Sequence, residues 1–269
     1  MQIRSPAPLA VRLETMAGAG LVPVVTALHL EMTRPVRTGA DPAEPGQPVL
    51  AGGPVAPMLE LEMPASLALL DLLVPSMGGG PALSVLIAPA AGGVASRVTG
   101  ARPARLTLDL DETGPPRLGV RLRGLPAEPE TVAVFGPADT SPRITLGDVG
   151  LWIDGVALAP LRRCRLTLAA RLHGQTAPDR PAPVAWLGGG VTLTLRFEPG
   201  VTAATLAGRL ALAGAVSVIL DLGRAGAGRR LVLPPGLISA NGFDGTAVAL
   251  ELTAAAPPCL HGILRRNET

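Results

Sequence analysis

Polar and apolar residues alternate most cleanly in the second half of the chain. Val191, Leu193, Leu195 and Phe197 are separated by Thr192, Thr194, Arg196 and Glu198. A period of two places one face of a strand in a core and the other in solvent. A Pro/Gly-rich stretch from Pro183 precedes this strand, and Pro199-Gly200 ends it. Thr202 is placed to cap a short helix, predicted over 201–213, with Leu206 and Leu210 four residues apart on one face. The run AVSVILDL, from Ala215 to Leu222, is β-branched and apolar, as a buried strand should be. A glycine turn reaching Gly228 closes the unit.

The same unit occurs earlier, from Pro48 to Gly93. Pro48-Val49 answers Pro183-Val184, Gly52-Gly53 answers Gly188-Gly189, and Leu59, Leu61 and Met63 answer Leu193, Leu195 and Phe197. Pro64 matches Pro199, and Ser84-Val85-Leu86-Ile87 matches Ser217-Val218-Ile219-Leu220. The shift is 135 at the prolines (183 − 48, 199 − 64) and 133 at the serines (217 − 84). A near-constant shift through loop, strand, helix and strand predicts a tandem duplication. The first helix is expected at 65–75. Extending the shift of 133 pairs Leu28 with Leu161 and Leu118 with Glu251.

Other alternating runs fill out the two halves. LAVRLE (9–14), ALHLEM (27–32), RLTLDL (105–110) and LGVRL (118–122) read as strands of the first. DVGLWIDGVAL (148–158) reads as a hairpin turning at Asp154-Gly155, and LRRCRLTLAARL (161–172) as a long strand. RRLVL (229–233) and TAVALELT (246–253) complete the second. The Pro-rich stretches 34–57 and 173–190 are expected to be long loops. The stretch LPAEPET (125–131) is the expected linker, and the tail from Pro257 is expected to be mobile. The fold class expected is all-β with short helices: two β-sandwich or barrel domains, 1–128 and 129–269, each with one flanking helix.

Composition narrows the function. Among 269 residues, 48% are hydrophobic and 16% charged, which describes a packed protein. All 23 basic residues are Arg, Tyr is absent, and Asn occurs only at 241 and 267. That bias follows from GC-rich coding and is weak evidence for phosphate binding. Residues 1–128 hold 10 Arg against 11 acids and 129–269 hold 13 against 10, so neither half is a basic nucleic-acid reader. The N-terminus lacks an apolar signal core, and the most apolar run, Leu210 to Leu222, is too short to span a bilayer. Synthesis and folding in the cytosol are expected. His29, His173 and His261 lie far apart, and Cys164 and Cys259 are the only cysteines. No metal, cofactor or catalytic spacing is recognisable. The run Gly223–Arg230 reads as a hairpin turn, because the following stretch is a strand and offers no helix N-terminus to an anion. Asp109, Asp111 and Glu112 read as the solvent face of a strand entering its turn. An enzyme is not expected.

The order of strand, long loop, strand, helix, strand and hairpin resembles the major tail tube proteins of long-tailed bacteriophages. LAVRLETMAGAGLVP (9–23) is similar to the start of such subunits, with Glu14-Thr15, then Gly18 or Gly20, then Pro23. LWIDGVAL (151–158), RRLVLPPGLIS (229–239) and GTAVALELTAAAP (245–257) resemble their end. The length departs from the single-domain type and looks like the minority type that carries two tube domains. The resemblance implies a virion protein that assembles in the bacterial cytoplasm. It implies self-association into trimeric, pseudo-sixfold rings that stack into a conduit for DNA. It further implies contacts with tape measure, tail terminator and distal tail proteins, passage of DNA without sequence-specific binding, and no membrane. The alternative is a β-sandwich binding module of a baseplate, tail tip or cell surface. The 34–57 and 173–190 segments are expected at contacts between rings.

Overall fold

The structure is a computed structural model. It describes every residue except 1, 4–8, 16–19, 34–35, 41–47, 53–55, 78, 90–93, 131–134, 136, 159–160, 178–182, 200–214, 224–226, 245–246, 255–257 and 263–269. The second helix expected, 201–213, lies outside the described residues. The first half contributes β1 (Gln2–Ile3), β2 (Leu9–Thr15), β3 (Gly20–Leu21), β4 (Ala27–Thr33), β5 (Val36–Ala40), β6 (Pro48–Gly52) and β7 (Ala56–Pro64). Helix α1 (Leu67–Met77), β8 (Leu83–Pro89), β9 (Ala95–Asp111), β10 (Arg117–Arg123) and β11 (Glu128–Glu130) follow. The second half contributes β12 (Val149–Ile153), β13 (Val156–Ala157), β14 (Leu161–Thr176) and β15 (Pro183–Pro199). It ends with β16 (Val216–Leu222), β17 (Arg229–Asp244), β18 (Ala247–Ala254) and β19 (Cys259–Gly262).

The long alternating runs assemble one antiparallel sheet in the order β1–β4–β7–β10–β9–β14–β15–β18–β17. Its inward residues are those the period-two pattern marks: Leu59, Leu61 and Met63, Leu118, Val120 and Leu122, Leu106, Leu108 and Leu110, and Leu193, Leu195 and Phe197 are all buried. Two smaller sheets cover that apolar face. One is β3–β2–β8–β9–β11 and the other β13–β12–β16–β17–β19. β9 and β17 each serve two sheets, with the N-terminal part in a small sheet and the C-terminal part in the long one. The fold is therefore all-β, with α1 as the one α-helix among the described residues.

The pairing pattern of the first half recurs in the second. β7 lies between β4 and β10, and β15 lies between β14 and β18. β2–β8–β9–β11 is answered by β12–β16–β17–β19. Ser84 is on β8 and Ser217 on β16, the equivalent strands. Irregularities recur as well. β8 slips against β9 between Leu83 and Val85, and β16 against β17 between Val216 and Val218. Through the pairings, Ala101, Val98 and Asp109 of β9 correspond to Gly236, Leu233 and Asp244 of β17, always 135 apart (236 − 101, 233 − 98, 244 − 109). A bulge keeps its place only if the strands around it are built alike.

Several expectations need correction. The pairings equate Leu28 with Leu166, through their partners Leu61 and Leu195, and not with Leu161. They equate Leu118 with Val248, through Met63 and Phe197, and not with Glu251. Loop lengths differ between the halves, so a shift fixed at one strand drifts at the next. Of the expected loop 34–57, 36–40 and 48–52 form a hairpin, β5–β6, paired with no other strand among the described residues, and of 173–190, 173–176 and 183–190 end the β14–β15 ladder, from His173↔Leu187 to Thr176↔Pro183. High Pro and Gly content concealed strands whose hydrogen bonds come from backbone. Of the expected linker, 128–130 form β11 on β9, and of the expected tail, Cys259–Gly262 form β19 on β17.

Helix α1 buries Leu69, Leu70, Leu73, Val74 and Met77 on one face, the spacing a helix gives. Ser66 stands at its N-terminus, where its Oγ accepts from the Leu69 amide at 3.4 Å and donates to Asp139 Oδ2 at 2.8 Å. Asp139 belongs to the segment crossing between halves. Its amide donates to Val22 O at 2.8 Å, and the Ile144 amide donates to Ala65 O at 3.2 Å. Burial works to raise the Asp139 carboxyl pKa, but the Ser141 hydroxyl and amide, Ser66 and Arg143 outweigh it and hold the pKa below its ordinary value.

Candidate functional site

The feature most open to a functional reading is the outer face of the long sheet. Glu60 and Glu62 of β7, Arg117 and Arg121 of β10, and Arg105, Thr107, Asp109 and Asp111 of β9 all point away from the core. Arg163 and Arg165 of β14 and Thr194, Arg196 and Glu198 of β15 continue the same face. The fold thus collects Glu60, Glu62, Asp109 and Asp111, scattered in sequence, onto one surface. They are the face opposite the leucines in four-strand arrays of fixed register.

Cross-strand neighbours pair charges on this face. Asp111 stands opposite Arg163 and Asp109 opposite Arg165. The Arg163 guanidinium reaches Asp111 Oδ2 with Nε at 2.7 Å, and Arg165 reaches Asp109 Oδ2 with Nε at 3.0 Å. Arg121 pairs with Glu60 of the adjoining strand. Between these pairs the Thr107 and Thr167 hydroxyl oxygens lie 3.4 Å apart across the junction of the two halves. Such exposed pairs each contribute about 0–1 kcal/mol, so their weight is in the charge pattern rather than in stability. Gly119, with no side chain, leaves a shallow depression of about 410 Å³ bounded by Glu60, Glu62, Arg105, Thr107, Arg121 and Arg165.

Asp111 is the most perturbed acid described. The Thr113 amide, then the Thr113 hydroxyl, then Arg163 hold its pKa down to about 2. Its Oδ1 accepts from the Thr113 amide at 2.9 Å, closing the turn after β9. Asp109 and Asp111 thus occupy the solvent face of a strand entering its turn, as the sequence suggests.

Other residues of chemical interest are dispersed. His29 is on β4, His173 on β14 and His261 on β19. Cys164 and Cys259 are free; Cys164 is buried on β14 beside β9, and burial, helped by Asp109, pushes its thiol up to about 12, which makes it a poor nucleophile. Of the expected turn Gly223–Arg230, Arg229 and Arg230 already belong to β17, opposite Leu222 and Asp221 of β16, and 224–226 lie outside the described residues. Among the described residues no group of three His, Cys, Asp or Glu side chains is placed to hold a metal ion. No described helix is long and apolar enough to cross a membrane.

The junction of the halves has three further contacts that sequence reasoning missed. Trp186, on the far end of β15, donates from Nε1 to Gly124 O at 3.0 Å and lies under the Arg123 guanidinium, 5.4 Å from its ring centre. Arg229 of β17 grips Asp71 of α1 with both Nε (2.7 Å) and Nη2 (2.9 Å). Within the second half, Asp221 holds Arg230 in the same bidentate way, and Arg230 lies over Trp152. The sequence signal for the polar face is charge at period two: Glu60 and Glu62, Asp109 and Asp111, and Arg163 and Arg165. No protein-family model matches the chain, and no curated protein matches its sequence.

Proposed function

We propose that the chain is a tail tube subunit of a long-tailed bacteriophage. It is a tandem duplicate with domains 1–128 and 129–269, and three copies close a pseudo-sixfold ring that stacks into a DNA conduit. The observation that carries this reading is the edge-to-edge run of two equivalent four-strand blocks in one sheet, β4–β7–β10–β9 followed by β14–β15–β18–β17. A sheet that adds one block to the next inside a chain can add further blocks between chains, and closing it removes the edges.

The outer face suits a lumen. Each Arg that neutralises a phosphate adds salt-dependent affinity, which would retard DNA in transit. On this face Arg163, Arg165 and Arg121 are matched by Asp111, Asp109 and Glu60. The described face also carries no aromatic ring from β7, β10 or β9 on which bases could stack. Electron microscopy of the concentrated protein tests the reading. Tubes of stacked rings with three chains per ring are expected. A protein that stays monomeric or stops at small oligomers overturns the tube, and six chains per ring overturns the trimer.

A further inference from the structure

The internal junction shows how a second copy would bind. β9 meets β14 through seven residue pairs, from Asp111↔Arg163 to Arg105↔Ala169. Apart from the two-residue β1 on the edge of β4, the strands that end the long sheet are the equivalents of these two. β17 corresponds to β9 at a shift of 135. β4 corresponds to β14, since Leu28↔Leu61 answers Leu166↔Leu195. The end strands are therefore built to pair as β9 and β14 do, and a chain cannot pair its own two ends across the width of its sheet.

Burial supports this. Leu166 and Leu168 are 1% and 0% exposed beside β9, whereas Leu28 and Leu30, their equivalents on β4, are only half-buried. Val94 shows the same contrast. Its equivalent by the shift of 135 is Arg229, which is engaged by Asp71 of α1 at the internal junction; Val94 is 71% exposed. The first half thus presents the surface that the second half has already covered.

We propose that the C-terminal part of β17 in one copy adds antiparallel to β4 of a second copy, in the register Asp244↔Ala27, Phe243↔Leu28, Gly242↔His29, Asn241↔Leu30 and Ala240↔Glu31. This is the β9–β14 register carried over by the shifts, so Gly242↔His29 takes the place of Thr107↔Thr167. The proposal rests on the ring reading and gives it a specific contact. It also assigns a role to β1. In the single chain β1 occupies the free edge of β4 at Leu30 and Glu31, through Ile3 and Gln2. Two of the five proposed pairs use those same positions, so β1 guards the edge and leaves it when a copy docks. A two-residue strand is a weak guard, which suits an edge that must open.

Disulfide trapping tests the register. Two proteins, one Gly242→Cys and one His29→Cys, both also Cys259→Ser, are mixed and mildly oxidised at assembling concentration. Directly opposite residues lie about 4.5–5.5 Å apart, within disulfide reach, while the diagonal positions are about 7–8 Å apart and outside it. Heterodimer is expected from this pair, with a several-fold lower yield when Ala27→Cys replaces His29→Cys. Removing residues 1–8 should raise the initial rate of trapping. Hydrogen exchange on the unsubstituted protein gives a second readout, with amides of 27–31 and 240–244 gaining protection on assembly. Trapping that favours Ala27, or no trapping together with no added protection, overturns the pairing. An unchanged or slower rate after the deletion overturns the guard. Trapped dimers without tubes keep the pairing and reject the tube; tubes without trapping or protection do the reverse.

Discussion

Asp111 gives the clearest expectation at the scale of one residue. Its folded pKa, about 2, lies below the ordinary 3.8, held there first by the Thr113 amide and then by the Thr113 hydroxyl and Arg163. Below pH 4 the unfolded chain therefore takes up a proton at this position more readily than the folded one. The stabilisation is fully present above about pH 4 and is lost as pH falls towards 2. Urea unfolding of the dilute protein at pH 5 and at pH 2.5 should show a smaller fall in midpoint for Asp111→Asn than for the parent. An equal fall in both proteins would show that the Thr113 turn does not favour the ionised carboxylate. The expected difference is modest because the carboxylate is at the surface, where solvent screens its charge partners.

At the scale of the element, the strands were legible because alternation is a local property, and Leu193–Phe197 and Leu106–Leu110 announce their buried face without knowledge of any neighbour. What alternation cannot reveal is which strand lies alongside. The pairing of Asp109 with Arg165 joins residues 56 apart, and it depends on β9 meeting β14 in one register. A one-residue slip of β14 would send its Arg residues to the face opposite the Asp residues of β9. The hairpin β5–β6 and the β14–β15 extension look like loops in the sequence for a related reason. Their strand character comes from backbone bonds between partners, and their Pro and Gly content argues locally against it. The polar face built by these pairings makes its own prediction. Replacing Glu60, Asp109 and Asp111 by Gln, Asn and Asn frees three Arg from their partners. If the face lines a conduit, assembled particles of this variant should bind DNA more tightly at low salt. The slope of log affinity against log salt should steepen by about 2–3, at about 0.7–0.9 per phosphate contacted. Binding that is unchanged at every salt concentration would show that the face does not meet DNA.

At the scale of the whole molecule, the two halves share more than a connection. One cluster of buried residues runs from Val11 and Leu13 through Leu108 and Leu166 to Val248 and Leu252. Parting β9 from β14 would uncover Leu106, Leu108, Leu110, Leu166 and Leu168 in part, at about 1.5–3 kcal/mol for each fully exposed side chain. It would also break the Asp71–Arg229 and Trp186–Gly124 contacts. A half left alone would thus lose stability comparable with the whole of a typical small domain's margin, about 5–15 kcal/mol. The halves should therefore unfold together although each has its own small sheet over its part of the long one. Calorimetry on the dilute, unassembled protein reads this directly. A chain of 269 residues has an unfolding enthalpy of about 190 kcal/mol near 60 °C. If the shared sheet couples the halves, the van't Hoff enthalpy should match the calorimetric one in a single peak. Two peaks, or a van't Hoff value near half the calorimetric one, would mean that the β9–β14 ladder opens before either half melts. The same opening would leave the β9–β14 junction too weak to serve as the template for contacts between copies.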